Sequence, residues 1–371
     1  MNYEQLKFRI ALTLINGVGN SIARNLITYL GSEEAVFHEK KNVLLKIPGI
    51  GDTLASAIIS RGDALERAEK EIEFIVKNKL EVHYYTDSTY PFRLRECPDA
   101  PLLLYSKCAV SLNANHILSI VGTRNATDYG KSLCRELIRE ISSIPSLIIV
   151  SGLAYGIDIC AHKAALEVGI PTIGVVAHGL DQIYPGHHRS TAVHMLDNGG
   201  LVTEYISKTN PDKQNFVQRN RIIAGMSDAV LVVESGVKGG SLITAELGND
   251  YNRDVYAFPG RTTDAWSKGC NKLIKSNKAA MVEHAEDLIS ALNWQVQIRP
   301  KADIQTSLFP VLTEIEAKIY KLLITYPEGL QVNSICLNLD IPFNDVSSSL
   351  LNLEFKSLVS CKPGGVYFHC I

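Results

Sequence analysis

Between residues 81 and 293, short runs of β-branched and aliphatic residues alternate with stretches of helical periodicity, and this alternation limits the fold more than any other feature of the chain. The runs fall at 117–121, 147–150, 172–177, 200–203, 229–234 and 254–258, with helical patterns such as 129–141 and 156–168 between them. Strands separated by helices are βαβ units, because a parallel neighbour is reached only by a long crossover. Several runs are apolar almost throughout, as parallel strands are when helices cover both faces of the sheet. The middle of the chain is therefore expected to be a doubly wound, mostly parallel α/β sheet.

A chain of 371 residues with 46% hydrophobic residues exceeds a single core, and two or three domains are expected. Before residue 81 two similar units recur, Ile15-Asn16-Gly17-Val18-Gly19 and Ile47-Pro48-Gly49-Ile50-Gly51, each leading into a helical pattern. Glycines permit the tight turn of a helix-hairpin-helix, so residues 1–80 are expected to be a small all-α domain. Asn20 and Asp52 follow the hairpins and put no cation where a DNA phosphate would meet free amides, which favours packing or partner docking. Residues 294–310, with Pro300, Pro310 and little periodicity, read as a linker. Helical patterns at 313–324, 332–339 and 343–358 then precede β-like runs at 358–361 and 366–369, separated by Lys362-Pro363-Gly364-Gly365. Three helices and a hairpin make a winged helix over 311–371. Its presumed recognition helix carries Asp345, Glu354 and only Lys356, a poor surface for a phosphate-lined groove, so protein contact is expected there.

The formal net charge is −2, so any site for a polyanion must come from local clustering. Such a cluster lies between residues 208 and 221, where Lys208, Lys213, Arg219 and Arg221 face a single acid, Asp212. The eight cysteines are scattered singly, without CxxC or Cys/His spacing, and are expected to be reduced thiols with no metal or other cofactor. Met1-Asn2-Tyr3-Glu4-Gln5 is not a basic region followed by an apolar one, and charges interrupt every apolar run. A soluble, cytoplasmic protein is expected.

The cluster belongs to the segment Gln214-Asn215-Phe216-Val217-Gln218-Arg219-Asn220-Arg221-Ile222-Ile223-Ala224-Gly225, which mixes one aromatic ring with guanidiniums and amides. Cations neutralise phosphates and a ring stacks on any base, the usual combination for holding a single strand. An amphipathic helix with Phe216, Ile222 and Ile223 inward and the arginines in solvent has the same sequence, and the residues alone leave both readings open.

Three loops at strand ends suit phosphate. After residue 121 come Gly122, Thr123 and Arg124: a close backbone approach, a hydroxyl and a guanidinium fork. Gly130-Lys131-Ser132 imitates the end of a P-loop, but the spacing from Gly122 is too long to close around a triphosphate. Arg124 pairing with Asp158 is the structural alternative. A second loop brings Ser151 and Gly152 beside Gly122, with Asp158 expected to cap or pair locally and His162 to be a packed histidine. The third, Glu234-Ser235-Gly236-Val237-Lys238-Gly239-Gly240-Ser241, offers Lys238 and the glycines at a helix start. No Ser-His-Asp arrangement, acid/base pair or metal set is evident in these loops.

These residues together resemble the bacterial DNA-processing protein family DprA/Smf. The resemblance rests on Tyr90-Pro91, Ile120-Val121-Gly122-Thr123-Arg124, Ser151-Gly152-Leu153-Ala154 with Gly156-Ile157-Asp158, and Gly179-Leu180-Asp181 with Tyr184-Pro185. It continues through Phe216 with Arg219-Asn220-Arg221-Ile222-Ile223-Ala224-Gly225, then Gly240-Ser241-Leu242-Ile243-Thr244-Ala245, and Phe258-Pro259-Gly260. It implies a sterile-alpha-motif-like N-terminal domain, an extended Rossmann-like domain over 81–293 and a winged helix. It also implies binding of single-stranded DNA, dimerisation of two copies through the Rossmann domain, and loading of the RecA recombinase during transformation and recombination; with no catalytic set in the loops, no enzymatic activity is expected.

Carried over by position, Arg124, Lys213, Phe216, Arg219, Asn220 and Lys238 would grip the strand, with Gly122, Thr123, Ser151, Gly152 and Ser241 lining the pocket. Arg221 and Gly240 complete the candidate set. Two departures stand out: Tyr155 where the family usually has arginine, and Lys238-Gly239-Gly240 for the commoner Lys-Ser-Gly. The alternative is a nucleotide hydrolase resembling the lysine-decarboxylase-like phosphoribohydrolases, whose Pro-Gly-Gly-x-Gly-Thr-x-x-Glu loop is matched by Gly239, Gly240 and Glu246. Lys238 and Leu242 break that pattern.

Overall fold

The computed structural model describes residues 3–295, 312–326, 329–356, 358–362 and 365–369. The chain divides into two compact units, residues 1–299 and 300–371. The first unit is built on nine strands: β1 (Glu81–Tyr84), β2 (Leu103–Cys108), β3 (His116–Val121), β4 (Leu147–Ser151), β5 (Thr172–Val175), β6 (Gly199–Thr203), β7 (Ala229–Val232), β8 (Asp254–Ala257) and β9 (Ala280–Met281). They form one sheet in the order β1-β2-β6-β5-β4-β3-β7-β8-β9.

From β6 to β9 every pairing is parallel, with Leu118 opposite both Ile149 and Ala229. The chain winds outward from β3 to β6, crosses back through the helix Lys213–Met226, and resumes beside β3 as β7. Loops leaving β3 and β7 therefore diverge at one carboxyl edge, which opens a crevice there.

Alternation within each strand explains why both faces are covered. Ile117, Val121, Ile148, Val150, Val230 and Val232 share one core with Ile222, Ile223 and Met226 of the crossover helix. Leu118, Ile120, Ile149 and Leu231 share another with Cys134, Leu137 and Ile138 of the helix Asp128–Glu140 and with Ile157, Ala161 and Ala164 of the helix Ile157–Glu167.

Two features depart from the expectation. β1 pairs β2, and β2 pairs β6, both antiparallel, so the parallel sheet gains an antiparallel edge that the alternation did not announce. The helices before residue 81 also share a core with that edge: Leu6, Ile10, Leu26, Phe37 and Ile75 pack with Val82, Leu103 and Tyr105. A buried polar joint reinforces it. The Glu71 carboxylate accepts from the Ser207 backbone N–H at 2.9 Å, the Ser207 hydroxyl at 2.5 Å and Arg67 Nη1 at 3.0 Å. The two glycine hairpins are present, with Gly17 and Gly49 both at φ +85 before the helices Asn20–Leu30 and Asp52–Ser60.

Of the expected linker, Trp294 packs into the sheet body against the His116 ring at 5.0 Å, and residues 296–310 lie outside the described residues. The second unit has the helices Glu314–Thr325, Val332–Leu339 and Phe343–Phe355. A small antiparallel sheet of β10 (Leu330–Gln331), β11 (Val359–Lys362) and β12 (Val366–His369) completes it, in the order β10-β12-β11. Residues 363 and 364, in the expected turn, lie outside the described residues. Its core is Ile319, Leu323, Ile335, Val346, Leu350, Leu353 and Val359.

Candidate nucleic-acid interface

The three loops at the carboxyl edge interlock through backbone. Thr123 N–H donates to the Glu234 carbonyl at 2.7 Å, and Ile157 N–H donates to the Thr123 carbonyl at 3.2 Å. Gly156 sits at φ +79, and a Cβ there would come within 2.1 Å of the Thr123 oxygen, so only glycine lets these loops touch. Thr127 caps the helix Asp128–Glu140 by accepting from Gly130 N–H at 3.1 Å, and its hydroxyl donates to Glu234 at 2.5 Å. The same carboxylate accepts the Thr127 N–H at 2.9 Å. Thr127→Val keeps the shape but removes the cap and one bond to Glu234. A loss of about 1 to 2 kcal/mol in unfolding free energy, measured by urea denaturation, is the expected result.

The loops enclose a cavity of about 590 Å³. Of the expected residues, Gly122, Thr123, Arg124, Lys213, Phe216, Arg219, Asn220, Gly240 and Ser241 line it. Phe216 is half-buried, one turn into its helix. The Arg124 guanidinium carbon lies 5.4 Å from the ring centroid and that of Arg219 lies 5.9 Å away, while the Tyr184 ring packs at 5.7 Å. Arg124 is exposed and enters no ion pair among the described residues, so the alternative pairing with Asp158 is not formed. Lys213, the first residue of the crossover helix, is exposed and unpaired in the same sense. Asn220 Nδ2 reaches the Gly240 carbonyl at 3.5 Å.

Arg219 differs from the other cations. It is buried, with Nη1 donating to the Gly152 carbonyl at 2.7 Å and to the Val175 carbonyl. Burial pushes its pKa down to about 10, against the pull of the Asp158 charge. Asp158 is buried as well, and burial raises its carboxyl above the usual range, opposed by Arg219 and by hydrogen bonds from the Ala154 and Gly152 backbone. Arg219 Nη2 and Asp158 Oδ2 both end within 2.6 Å of where a Cβ on Gly152 would stand, so Gly152 is the space that lets these charges meet the loop.

Four candidates are placed otherwise than expected. Arg221 points away, ion-paired to Glu204 and donating to the Asp99 carbonyl at 2.7 Å. Two positions along a helix turn the side chain by about 200°, so Arg219 and Arg221 cannot share a wall. Ser151 is buried and donates to the Ile120 carbonyl at 2.6 Å, which makes it, like Gly152, support beneath the cavity rather than lining. Lys238 is exposed on the third loop, outside the lining.

Tyr155 is also outside, its ring 4.8 Å from that of His188. His162 is a buried histidine, Nδ1 2.7 Å from the Thr172 hydroxyl, with burial holding its pKa down to about 3. Glu246, which the hydrolase alternative requires, pairs with Lys278 at 3.3 Å on the surface and does not line the cavity. Tyr184, which the sequence offers only as part of a family motif, and Trp266, which no motif includes, also line the cavity.

An open crevice lined by Arg124, Lys213, Phe216 and Trp266 sits at the switch point of a mostly parallel sheet, the place where proteins of the α/β class hold ligands. The family described as DNA recombination-mediator protein A matches residues 81–293. Protein Smf of Synechocystis sp. is 30% identical over 404 aligned positions, covering 99% of each chain. The X-ray structure of DNA processing protein A from Streptococcus pneumoniae is similar with a TM-score of 0.65 and 31% identity, covering 78% of this chain and 97% of that one. A structure of DNA processing protein A from Helicobacter pylori, described as giving insight into its unique single-stranded DNA binding mode, has a TM-score of 0.53 at 28% identity, covering 58% and 98%. The chain belongs to the DNA recombination-mediator protein A family, DprA/Smf.

Proposed function

We propose that the chain binds single-stranded DNA without sequence preference and without chemistry, and presents the strand to a RecA-type recombinase during DNA uptake and recombination. The observation that carries the reading is the half-buried Phe216 ring flanked by the Arg124 and Arg219 guanidiniums inside a cavity open to a chain. Bases stack on the ring while the exposed Arg124 and Lys213 take phosphates and buried Arg219 holds the wall, a division of labour that tolerates any sequence. The single-stranded DNA binding named for the Helicobacter pylori relative supports a strand as the ligand. In this reading two copies associate through the sheet-bearing unit, whose Rossmann-like sheet holds the strand, and the protein works in the cytoplasm. Among the described residues no helix is long and apolar enough to cross a membrane.

The N-terminal helices act as a sterile-alpha-motif-like module and the second unit as a winged helix that meets protein. Lys356, the cation of its presumed recognition helix, is held by Glu316 at 2.7 Å, while Leu351 and Phe355 on that helix are 52% and 80% exposed. An apolar, acid-bearing surface suits a protein partner better than a groove lined with phosphate.

The test is a salt titration with a fluorescent oligo-dT. Log affinity is expected to fall linearly with log salt, and Lys213→Ala to reduce the slope by about 0.7, the increment for one phosphate contact on a single strand. Equal affinity for an oligonucleotide duplex, or a salt-independent signal, would rule out the reading.

A further inference from the structure

Besides Phe216 and the Tyr184 ring packed on it, a third large ring, Trp266, lines the cavity from a separate segment, the stretch between β8 and the helix Lys268–Lys275. The chain's other tryptophan shows what an indole does when it serves packing alone. Trp294 is 7% exposed and belongs to the core under the sheet. Trp266 belongs to none of the hydrophobic cores among the described residues and is only half-buried.

Its position is nevertheless held. Ser235 N–H donates to the Trp266 carbonyl at 2.7 Å, and Gly269 N–H donates to the Ser235 carbonyl at 2.8 Å. A Cβ on Gly236 would come within 3.1 Å of the indole Cζ3, so the ring lies against bare backbone of the loop that follows β7. The indole N–H donates to no group among the described residues. Lys268, two residues on, is exposed and likewise enters no ion pair there. A ring anchored through its own backbone, outside the core, loses little freedom when a flat partner settles on it. A nucleobase is such a partner, since every base has a π-face and stacking asks for no particular sequence.

We propose that Trp266 is a second nucleobase platform, so that the cavity engages two bases of one strand, one on Phe216 and one on Trp266. The proposal rests on the strand-binding reading of the same cavity and extends the site beyond the residues the family motifs supply. It makes Trp266 a determinant of how long a strand must be to bind well, because a one-base ligand uses one platform and a longer strand uses both.

The experiment measures anisotropy of labelled oligo-dT with wild type, Phe216→Ala, Trp266→Ala and Trp266→Phe, each checked for an unchanged melting temperature. Trp266→Ala is expected to lose about 5- to 150-fold in affinity, and Trp266→Phe to keep most of it. In parallel, unlabelled oligo-dT is expected to quench the tryptophan emission of wild type and to leave that of Trp266→Phe, which retains only buried Trp294, unchanged. Should Trp266→Ala bind like wild type while Phe216→Ala is weakened, or should the quench persist in Trp266→Phe, the second platform is refuted and the strand-binding reading stands. If wild type itself does not bind oligo-dT, both fall.

Discussion

Replacing Arg219 by methionine is expected to lower the unfolding free energy by about 3 to 5 kcal/mol, the usual consequence of taking one partner from a buried set of charges. Methionine fills similar space, so the loss is electrostatic rather than a cavity. It leaves the Gly152 and Val175 carbonyls without their donor and the buried Asp158 carboxylate without its cation. Urea denaturation measures the loss. Adding Asp158→Asn to Arg219→Met is expected to restore part of it, because a neutral amide no longer needs the missing charge.

The pH dependence has a definite sign. Burial already raises the Asp158 carboxyl, and without Arg219 it rises further, so the folded variant binds a proton that the unfolded chain has released. Stability of the variant then falls as pH climbs above the unfolded carboxylate range near ~3.9 toward the raised folded value. Its deficit against wild type is therefore smallest in acid and full near neutrality. A deficit that does not change with pH, or an Arg219→Met as stable as wild type, would show that Asp158 does not depend on this guanidinium.

The largest effect on binding is expected for the double substitution Phe216→Ala, Arg124→Ala. Loss of one ring stack costs about 1 to 3 kcal/mol, and loss of an exposed cation removes one phosphate contact. Together they are expected to weaken oligo-dT binding by about two orders of magnitude at low salt. The two single effects should not sum to the double. Arg124 lies over the Phe216 ring at 5.4 Å, so each helps to hold the other, and removing either already spends part of what the second contributes. Affinities of all four proteins across a salt series decide the matter. A double variant that binds as tightly as wild type throughout would remove this cavity from DNA binding.

Much of the scaffold was legible because its signals are local. The expected runs at 117–121, 147–150 and 254–258 coincide within a residue or so with β3, β4 and β8, since a strand buried on both faces must be apolar nearly throughout. The loops followed from the strands, because the ends of parallel strands collect at one edge. The antiparallel edge was harder. β1 has only four residues, and its pairing with β2 joins segments with no helix between them of the length that marks a crossover.

The candidate site was read less completely. That Arg219 is buried and Arg221 is not part of the cavity had a signal in the chain: 219, 222, 223 and 226 share one helical face, and Ile222, Ile223 and Met226 are plainly core residues. Charge alone does not separate the two: Arg219 lines the cavity from its buried wall, while Arg221 pairs with Glu204 outside it. Trp266 had no such signal, standing in a polar stretch without periodicity.

Residue order alone was enough to say that helices alternate with parallel strands and which turns close each strand, because periodicity and glycine placement act over a few neighbouring residues. Which of those turns meet, and which cation faces ligand, carbonyl or acid, depended on the chain reversing its winding between β3 and β7. That reversal brings residues 124, 216 and 266 around one cavity through packing between elements far apart in the chain, and no local pattern encodes it.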